Sequence, residues 1–535
     1  MISTIPATER PTPLLLKLQD NNRSVIPREG KFYLGSFDQN RLTDGRQITR
    51  PGPSRNAILD ILENINPTDL FGEVVMTRLL IAGGRVVDPL NNLDGMADVL
   101  IEDGRIERVA AGIDAAGAEV LDARGKVVMP GVIDMHAQRM VALAGVTTVL
   151  DMAGPLENIL ESIPTSGSGI NMAILEAARA GMTLSSSRPN AAERRSFIEK
   201  TLEAGGIGIK LLGGHFPMDL DISAGFIEET AKASAWVGWH VGNTVHGSDI
   251  EGMRDAVEAA DGKFLHIAHI NSYCRGKVRP VVDEALEAID LLKSHPQIFS
   301  ESYLSPLNGT RLTIENGIPA TEVTKTCLKR LGYEATAAGL ETAIFEGRAG
   351  VLADDGRIGR LIYGPEAVRY WKERKTITVG SFAVNPAESR FLLATAKRED
   401  KSFVVDAFST DGGSYPRNVI VENGMLLVLF GALTLSEFVA KASLAGARAL
   451  GLPAKGHLSA GADGDVTVID VENRKAAATI VAGKVIMKNG VLMGHGTTII
   501  CDERGAKALQ KRGIAHIVKK PLAPESFRQR FVCQP

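Results

Sequence analysis

Cysteine is scarce in this chain. Four cysteines in 535 residues, Cys274, Cys327, Cys501 and Cys533, lie far apart and form no pair with metal-type spacing. That excludes a disulfide framework and points to reduced thiols in a cytoplasmic protein. Long hydrophobic runs are also missing: no stretch approaches the roughly 18 apolar residues of a membrane span. Neither sign of charge dominates, with 60 basic and 63 acidic residues and a formal net charge of −3. A balance of this kind gives no support for nucleic acid or a membrane surface as a partner. The opening Met1–Pro6 has no charged-then-apolar signal layout, so the cytoplasm is the expected location.

The composition is otherwise that of a globular protein, 44% hydrophobic and 23% charged. Residues 1–75 are rich in Pro, Asn, Arg and Asp and carry no sustained period. They read as an N-terminal extension of poor order, or as an upstream stretch ahead of a natural start at Met76. Short β segments punctuated by Gly and Asp-Gly then fill 76–129. The same texture returns within 431–497, after a helix over 435–451, and 498–535 is a basic C-terminal tail with no assigned role. Two β-rich stretches around an α/β middle predict one small sandwich built from both ends.

The middle, 130–430, alternates short apolar runs with amphipathic stretches, the pattern of βα units. Predicted strands are 130–136, 146–151, 206–211, 237–241, 264–269, 298–303 and 403–408, with helices at 251–260 and 281–293. The fold class is therefore α/β, a TIM-like (β/α)8 barrel with a small flanking β-sandwich. Residues 304–402 are too many for one connection and read as an insertion.

Functional side chains of such a barrel sit at the C-terminal ends of its strands. His136 closes the run Pro130–His136, and Lys210, His240 and His269 follow at strand ends 30 and 29 residues apart. About 30 residues make one βα unit, so the spacing predicts three side chains at one level of the mouth. Asp411 follows the last predicted strand. Imidazoles and a carboxylate converging on one point suit a divalent metal, which activates water while a nearby carboxylate moves the proton. Each residue also has a plainer reading: His136 as a structural hydrogen-bonder, Lys210 as a barrel lysine paired with Asp411 or Asp151, Asp411 as a turn former before Gly412. His266, three residues before His269, is predicted to face the opposite side, as a core residue or one that supports the ligands from behind. His215 and His246 lie on loops as substrate contacts or surface residues.

Taken together, Pro130–His136, Ala144–Val149 and Lys455–Asp465 resemble the amidohydrolase superfamily, across about residues 77–500. The resemblance implies that His136, His240 and His269 ligate metal from the first, fifth and sixth strands. It makes Asp411 the last-strand ligand and general base. Lys210 falls where hydantoinase-like and dihydroorotase-like members carry a carboxylated lysine bridging two metals. Ser302–Pro306, Ser409–Gly413 and the insertion are more similar to the N-acyl-D-amino-acid deacylase branch. Arg275, Tyr303 and Arg417 are the candidate substrate-binding residues, the arginines for a carboxylate. Two departures stand out: Gln138 replaces the second histidine of the usual His-Xaa-His, and the run from His136 to Gly145 is too short for a first βα unit.

The implied activity is metal-dependent hydrolysis of a non-peptide C–N bond, in an amide or cyclic amide of a small molecule. One or two divalent ions, zinc by preference, are implied, with Lys210 carboxylated if there are two, and a homo-oligomer is expected. Two other functions remain open: a catalytically impaired homologue acting in binding or assembly, and a mononuclear deaminase.

Overall fold

The computed structural model describes residues 23–28, 31–36, 77–137, 141–354, 359–412 and 415–521. The chain divides into two units, Met1–Val75 and Met76–Pro535. In the first, Arg23–Arg28 and Lys31–Ser36 pair as an antiparallel hairpin; the order expected of the rest of 1–75 lies outside the described residues.

The second unit is built on eight parallel strands in sequence order: β1 (Val132–Asp134), β2 (Val146–Asp151), β3 (Asn171–Ala178), β4 (Gly208–Leu212), β5 (Trp236–His240), β6 (Leu265–Ile267), β7 (Ile298–Tyr303) and β8 (Ala407–Ser409). Nearly all of their residues are buried, as apolar strands covered on both faces must be. Among the described residues two backbone bonds bridge the seam between β8 and β1, Met135 N–H to Phe408 O at 3.4 Å and Gly412 N–H to His136 O at 2.7 Å. Inside, Leu150, Leu175, Ile207, Trp236 and Phe299 fill the floor. Packing there is close: a Cβ at Gly208 would lie 1.9 Å from Trp236 O. Helices Ala191–Ala204, Leu220–Lys232, Ile250–Ala260 and Val281–Ser294 cover the outside, the last two as predicted from the sequence.

Three features differ from a regular (β/α)8 plan. β1 and β2 pair directly although residues 135–145 join them without an α-helix among the described residues. Among the described residues the short turn Ala142–Ala144 makes the crossing, and it leans on the terminal sheet. Thr479 Oγ donates to Ala142 O at 2.7 Å and Thr467 Oγ to Gly145 O at 2.6 Å. Those contacts replace the packing that a first helix provides. Next, the insertion between β7 and β8 folds, among the described residues, as a four-stranded antiparallel sheet, a two-stranded hairpin and four helices, with a core of Leu328, Leu340, Ile344, Trp371 and Phe382. Finally, the stretch read as a tail supplies Thr498–Cys501, which pairs in parallel with the start of β3, the helix Glu503–Lys511, and His516–Val518 beside Thr498–Cys501.

The flanking β structure is one nine-stranded sheet drawn from both ends, joined where Val127–Pro130 pairs with Val466–Asp470. Its core combines Leu79, Ile81, Val99 and Ile101 with Val466, Val468 and Ile480. Asp465 anchors it to the barrel, taking Asn171 Nδ2 at 2.9 Å and Lys455 Nζ at 2.6 Å. Among the described residues no helix is long and apolar enough to cross a membrane.

Candidate metal centre

Three of the five predicted ligands meet at the barrel mouth. Single ligand atoms of His136, His269 and Asp411 all lie within 4.8 Å of one another. His136 stands two residues beyond β1 and His269 two beyond β6; their rings stack at 5.1 Å. Asp411 stands two residues beyond β8, with its Oδ1 3.7 Å from His269 Nε2. Both His269 and Asp411 have left-handed backbones, φ 39° and 58°, which turn the chain sharply off each strand and back over the barrel axis. Two imidazoles and one carboxylate are a donor set that fits zinc.

The other two predicted ligands adjoin this group without entering it. His240 ends β5 and packs edge-on against His269 at 4.5 Å, but its Nε2 shares a 2.9 Å hydrogen bond with Ser248 Oγ. His215 packs against the other side of His240 at 5.4 Å. Lys210 sits deeper. The strand register sets it level with Gly238 and His266, whereas His240 is level with Leu212. Equal spacing in sequence therefore does not give equal height, because neighbouring strands of a barrel are staggered. Lys210 Nζ donates to the Met152 sulfur at 3.0 Å.

Electrostatics suit metal binding. Burial above all, then Lys210 and neighbouring imidazoles, holds His136, His240 and His269 well below the usual histidine range. Neutral imidazoles are the ligand form. Burial pushes the Lys210 ammonium down to about 8 against the pull of Glu301, Asp411 and Asp151. Burial also raises the Asp411 carboxyl, opposed by Arg417, Arg275 and Lys210.

The candidate substrate residues line the same mouth. Arg275 donates to the Tyr303 hydroxyl through Nε at 3.3 Å and Nη2 at 3.0 Å, and to Ser272 Oγ and Asn308 Oδ1. Arg417 lies against Gly309, where a Cβ would be 2.5 Å from its Cζ. Asn308 and Gly309 belong to the insertion, which thus borders the site. Both arginines are half-buried, and among the described residues neither forms an ion pair with a carboxylate. His246 is elsewhere engaged, by Asp255 at 2.7 Å. Gln138 lies outside the described residues.

His266 is a core residue, as the sequence predicts, but it does not face away from the site. β6 ends at Ile267, so strand alternation does not continue to His269, and His266 points inward. It meets a residue that the sequence reading passed over, Glu301 in β7, whose Oε1 is 3.4 Å from His266 Nε2 and 3.5 Å from His136 Nδ1. A signal was present: one acid in the middle of a wholly buried strand, Ile298–Tyr303, must find partners inside the fold.

Known proteins agree with this architecture. The model of the amidohydrolase family matches residues 127–495. A dihydroorotase from Pelotomaculum thermopropionicum is 27% identical over 472 residues, 78% of this chain and 100% of that protein. The zinc- and phosphonate-bound N-acyl-D-glutamate deacylase from Bordetella bronchiseptica superposes with a TM-score of 0.55 at 16% identity, covering 79% of this chain and 99% of the other. Dihydropyrimidinase from Brevibacillus agri gives a TM-score of 0.54 at 14% identity, covering 84% and 100%. With a family match spanning most of the chain and a barrel whose mouth gathers imidazole and carboxylate ligands, this protein belongs to the amidohydrolase family, metal-dependent hydrolases of carbon–nitrogen bonds other than peptide bonds.

Proposed function

We propose that the substrate is a small amide bearing a free carboxylate, either a cyclic amide or an N-acyl amino acid. The observation that carries this reading is the pair Arg275 and Arg417, half-buried cations that make no ion-pair contact with a carboxylate among the described residues, both acting on Asp411. A guanidinium taken from water with no carboxylate bonded to it is costly, and a substrate carboxylate in bidentate contact offsets that cost. The Tyr303 hydroxyl, held by Arg275, adds a polar contact beside it.

His136, His269 and Asp411 would hold zinc. Bound there, such an ion polarises the amide carbonyl and makes water a nucleophile near neutral pH. Asp411, its basicity raised by burial, takes the proton of the attacking water and delivers it to the leaving nitrogen. The two arginines orient the substrate through its carboxylate, and the insertion shields the mouth from bulk water. Lys210 supports a second ion: an amine pushed down to about 8 is in part neutral at physiological pH and able to add carbon dioxide, giving a carboxylated side chain. The three-residue grouping supports a single ion instead, with Lys210 left unmodified on Met152. Three free, buried cysteines, Cys274, Cys327 and Cys501, support a cytoplasmic location.

Metal content by mass spectrometry, on protein purified without chelator and on Lys210→Ala, tests the reading. About two equivalents falling on loss of Lys210 establish a bridged pair, and about one, unchanged by the substitution, a mononuclear hydrolase. No metal after zinc-supplemented expression leaves a binding or assembly role.

A further inference from the structure

Beneath the candidate ligands lies a polar cluster that neither zinc binding nor substrate recognition accounts for. Glu301 is wholly buried at the centre of β7. Its Oε2 accepts the Ser409 hydroxyl at 2.7 Å, and the backbone N–H of His269 also bonds to its carboxylate. Its Oε1, His136 Nδ1 and His266 Nε2 are all buried and make no regular hydrogen bond, yet they lie within 3.5 Å and 3.4 Å of each other as two N···O pairs. Polar atoms so deep in a core are costly unless they serve one another.

The direction of these contacts follows from one donor. The Trp236 indole N–H can only donate, and it points to His266 Nδ1 at 3.3 Å. In the neutral imidazole His266 then carries its proton on Nε2, facing Glu301. Oε1 retains a second lone pair, and His136 Nδ1 faces it. A proton on His136 Nδ1 leaves Nε2 as the free acceptor. That nitrogen faces the turn after Asp411, where a Cβ on Gly412 would lie 3.4 Å away. One carboxylate thus touches residues carried by β1, β6 and β8, the three strands that deliver His136, His269 and Asp411.

We propose that Glu301 is the positioning residue of the metal site: its carboxylate fixes His136 in the Nδ1-protonated form, so that Nε2 is presented to the ion, and braces the three ligand-bearing strands from below. The inference rests on the reading of His136, His269 and Asp411 as ligands. Carboxylate partners of ligating histidines set ring orientation and basicity, and their loss costs about 10- to 100-fold in metal affinity. A buried glutamate serving only as a counter-charge to Lys210 would not govern the His136 tautomer.

Two measurements on the full chain decide this. Nitrogen-15 NMR of histidine-labelled, metal-free protein reads which ring nitrogen carries the proton, with His136→Asn identifying the signal. Zinc affinity is read by competition with a chromophoric chelator. In wild type His136 is expected to be Nδ1-protonated. In the near-isosteric Glu301→Gln a mixture of tautomers and zinc affinity about 10- to 100-fold weaker are expected. Ser409→Ala, which removes one bond and leaves the carboxylate in place, should move both readouts the same way by a smaller factor. An unchanged His136 spectrum with unchanged zinc affinity in Glu301→Gln overturns the proposal. A wild type that binds no zinc overturns the metal reading instead, and the metal-free spectra still decide the role of Glu301.

Discussion

Asp134 and Thr410 are joined across the seam of the barrel. The Asp134 Oδ1 accepts the Thr410 backbone N–H at 3.1 Å, and the Thr410 hydroxyl bonds Oδ2. The same carboxylate takes Asn418 Nδ2 at 2.8 Å and the backbone N–H of His136 at 3.1 Å. It therefore sits between two candidate ligands, two residues before His136 and one residue across from Asp411. Where ordinary ladder bonds are few, this carboxylate holds the last strand to the first.

Asp134→Ala leaves those donors buried without an acceptor. At about 1–3 kcal/mol for each unsatisfied group, we expect a loss of at least about 3 kcal/mol in urea unfolding, together with loss of zinc uptake. Asp134→Asn keeps the volume and one acceptor oxygen, and should fall between. Wild-type stability in Asp134→Ala would mean that the seam is closed by packing alone.

Asp411→Asn separates proton transfer from binding. A positioned general base contributes about 10²- to 10⁴-fold, so kcat should fall by that factor while KM for a substrate held by Arg275 and Arg417 changes little. Zinc affinity should weaken as well, because one of three grouped ligands loses its charge. Unchanged kcat at full zinc loading would remove Asp411 as the base, and unchanged zinc affinity would remove it as a ligand.

Arg275→Met and Arg417→Met address recognition. Each should raise KM for carboxylate-bearing amides about tenfold or more and leave kcat within a few-fold, the pattern of lost uniform binding. Substrates whose carboxylate is capped as an amide should not distinguish the variants from wild type. If capped and free substrates suffer alike, the arginines act on the architecture of the mouth.

Much of the barrel was legible because buried parallel strands are written as unbroken apolar runs: Val146–Asp151 and Ile298–Tyr303 fall where the sequence places them. β3, Asn171–Ala178, was not legible. Its Met, Ala, Leu and Glu are good helix formers, and only burial between neighbours makes it a strand. β8 lies later than the apolar run 403–408 suggests, since Phe403 and Val404 pack in the cores beside the strand. His136, His269 and Asp411 could be found as strand-end residues of metal-binding type. Glu301 and His266 could not be assigned a partner, because each meets the other only once the sheet has closed. The depth of Lys210 depends on barrel stagger, which no linear spacing encodes.

Lys441 offers a stability test away from the site. It lies on the π turn Ala440–Leu444 of the helix after the barrel, wholly buried, with Nζ bonded to Val405 O at 2.6 Å. The rings of Phe403 and Phe408 flank it at 4.3 Å and 5.0 Å. Burial pushes its ammonium down to about 7, against the pull of Asp406 and Glu437. In the unfolded chain the same lysine titrates near its ordinary value of 10.5. Between those two pH values the unfolded state binds more protons than the fold, so stability rises with pH, by at most about 1.4 kcal/mol per unit. Below about pH 7 both states are charged, and the full cost of burying the charge is present. Lys441→Met carries no such cost. Wild type should therefore gain on Lys441→Met as pH is raised from 7 towards 10 in paired urea titrations, and the difference should be flat below 7. A difference independent of pH across that range would mean that Lys441 stays charged in the fold, held by the Val405 carbonyl and the two aromatic faces.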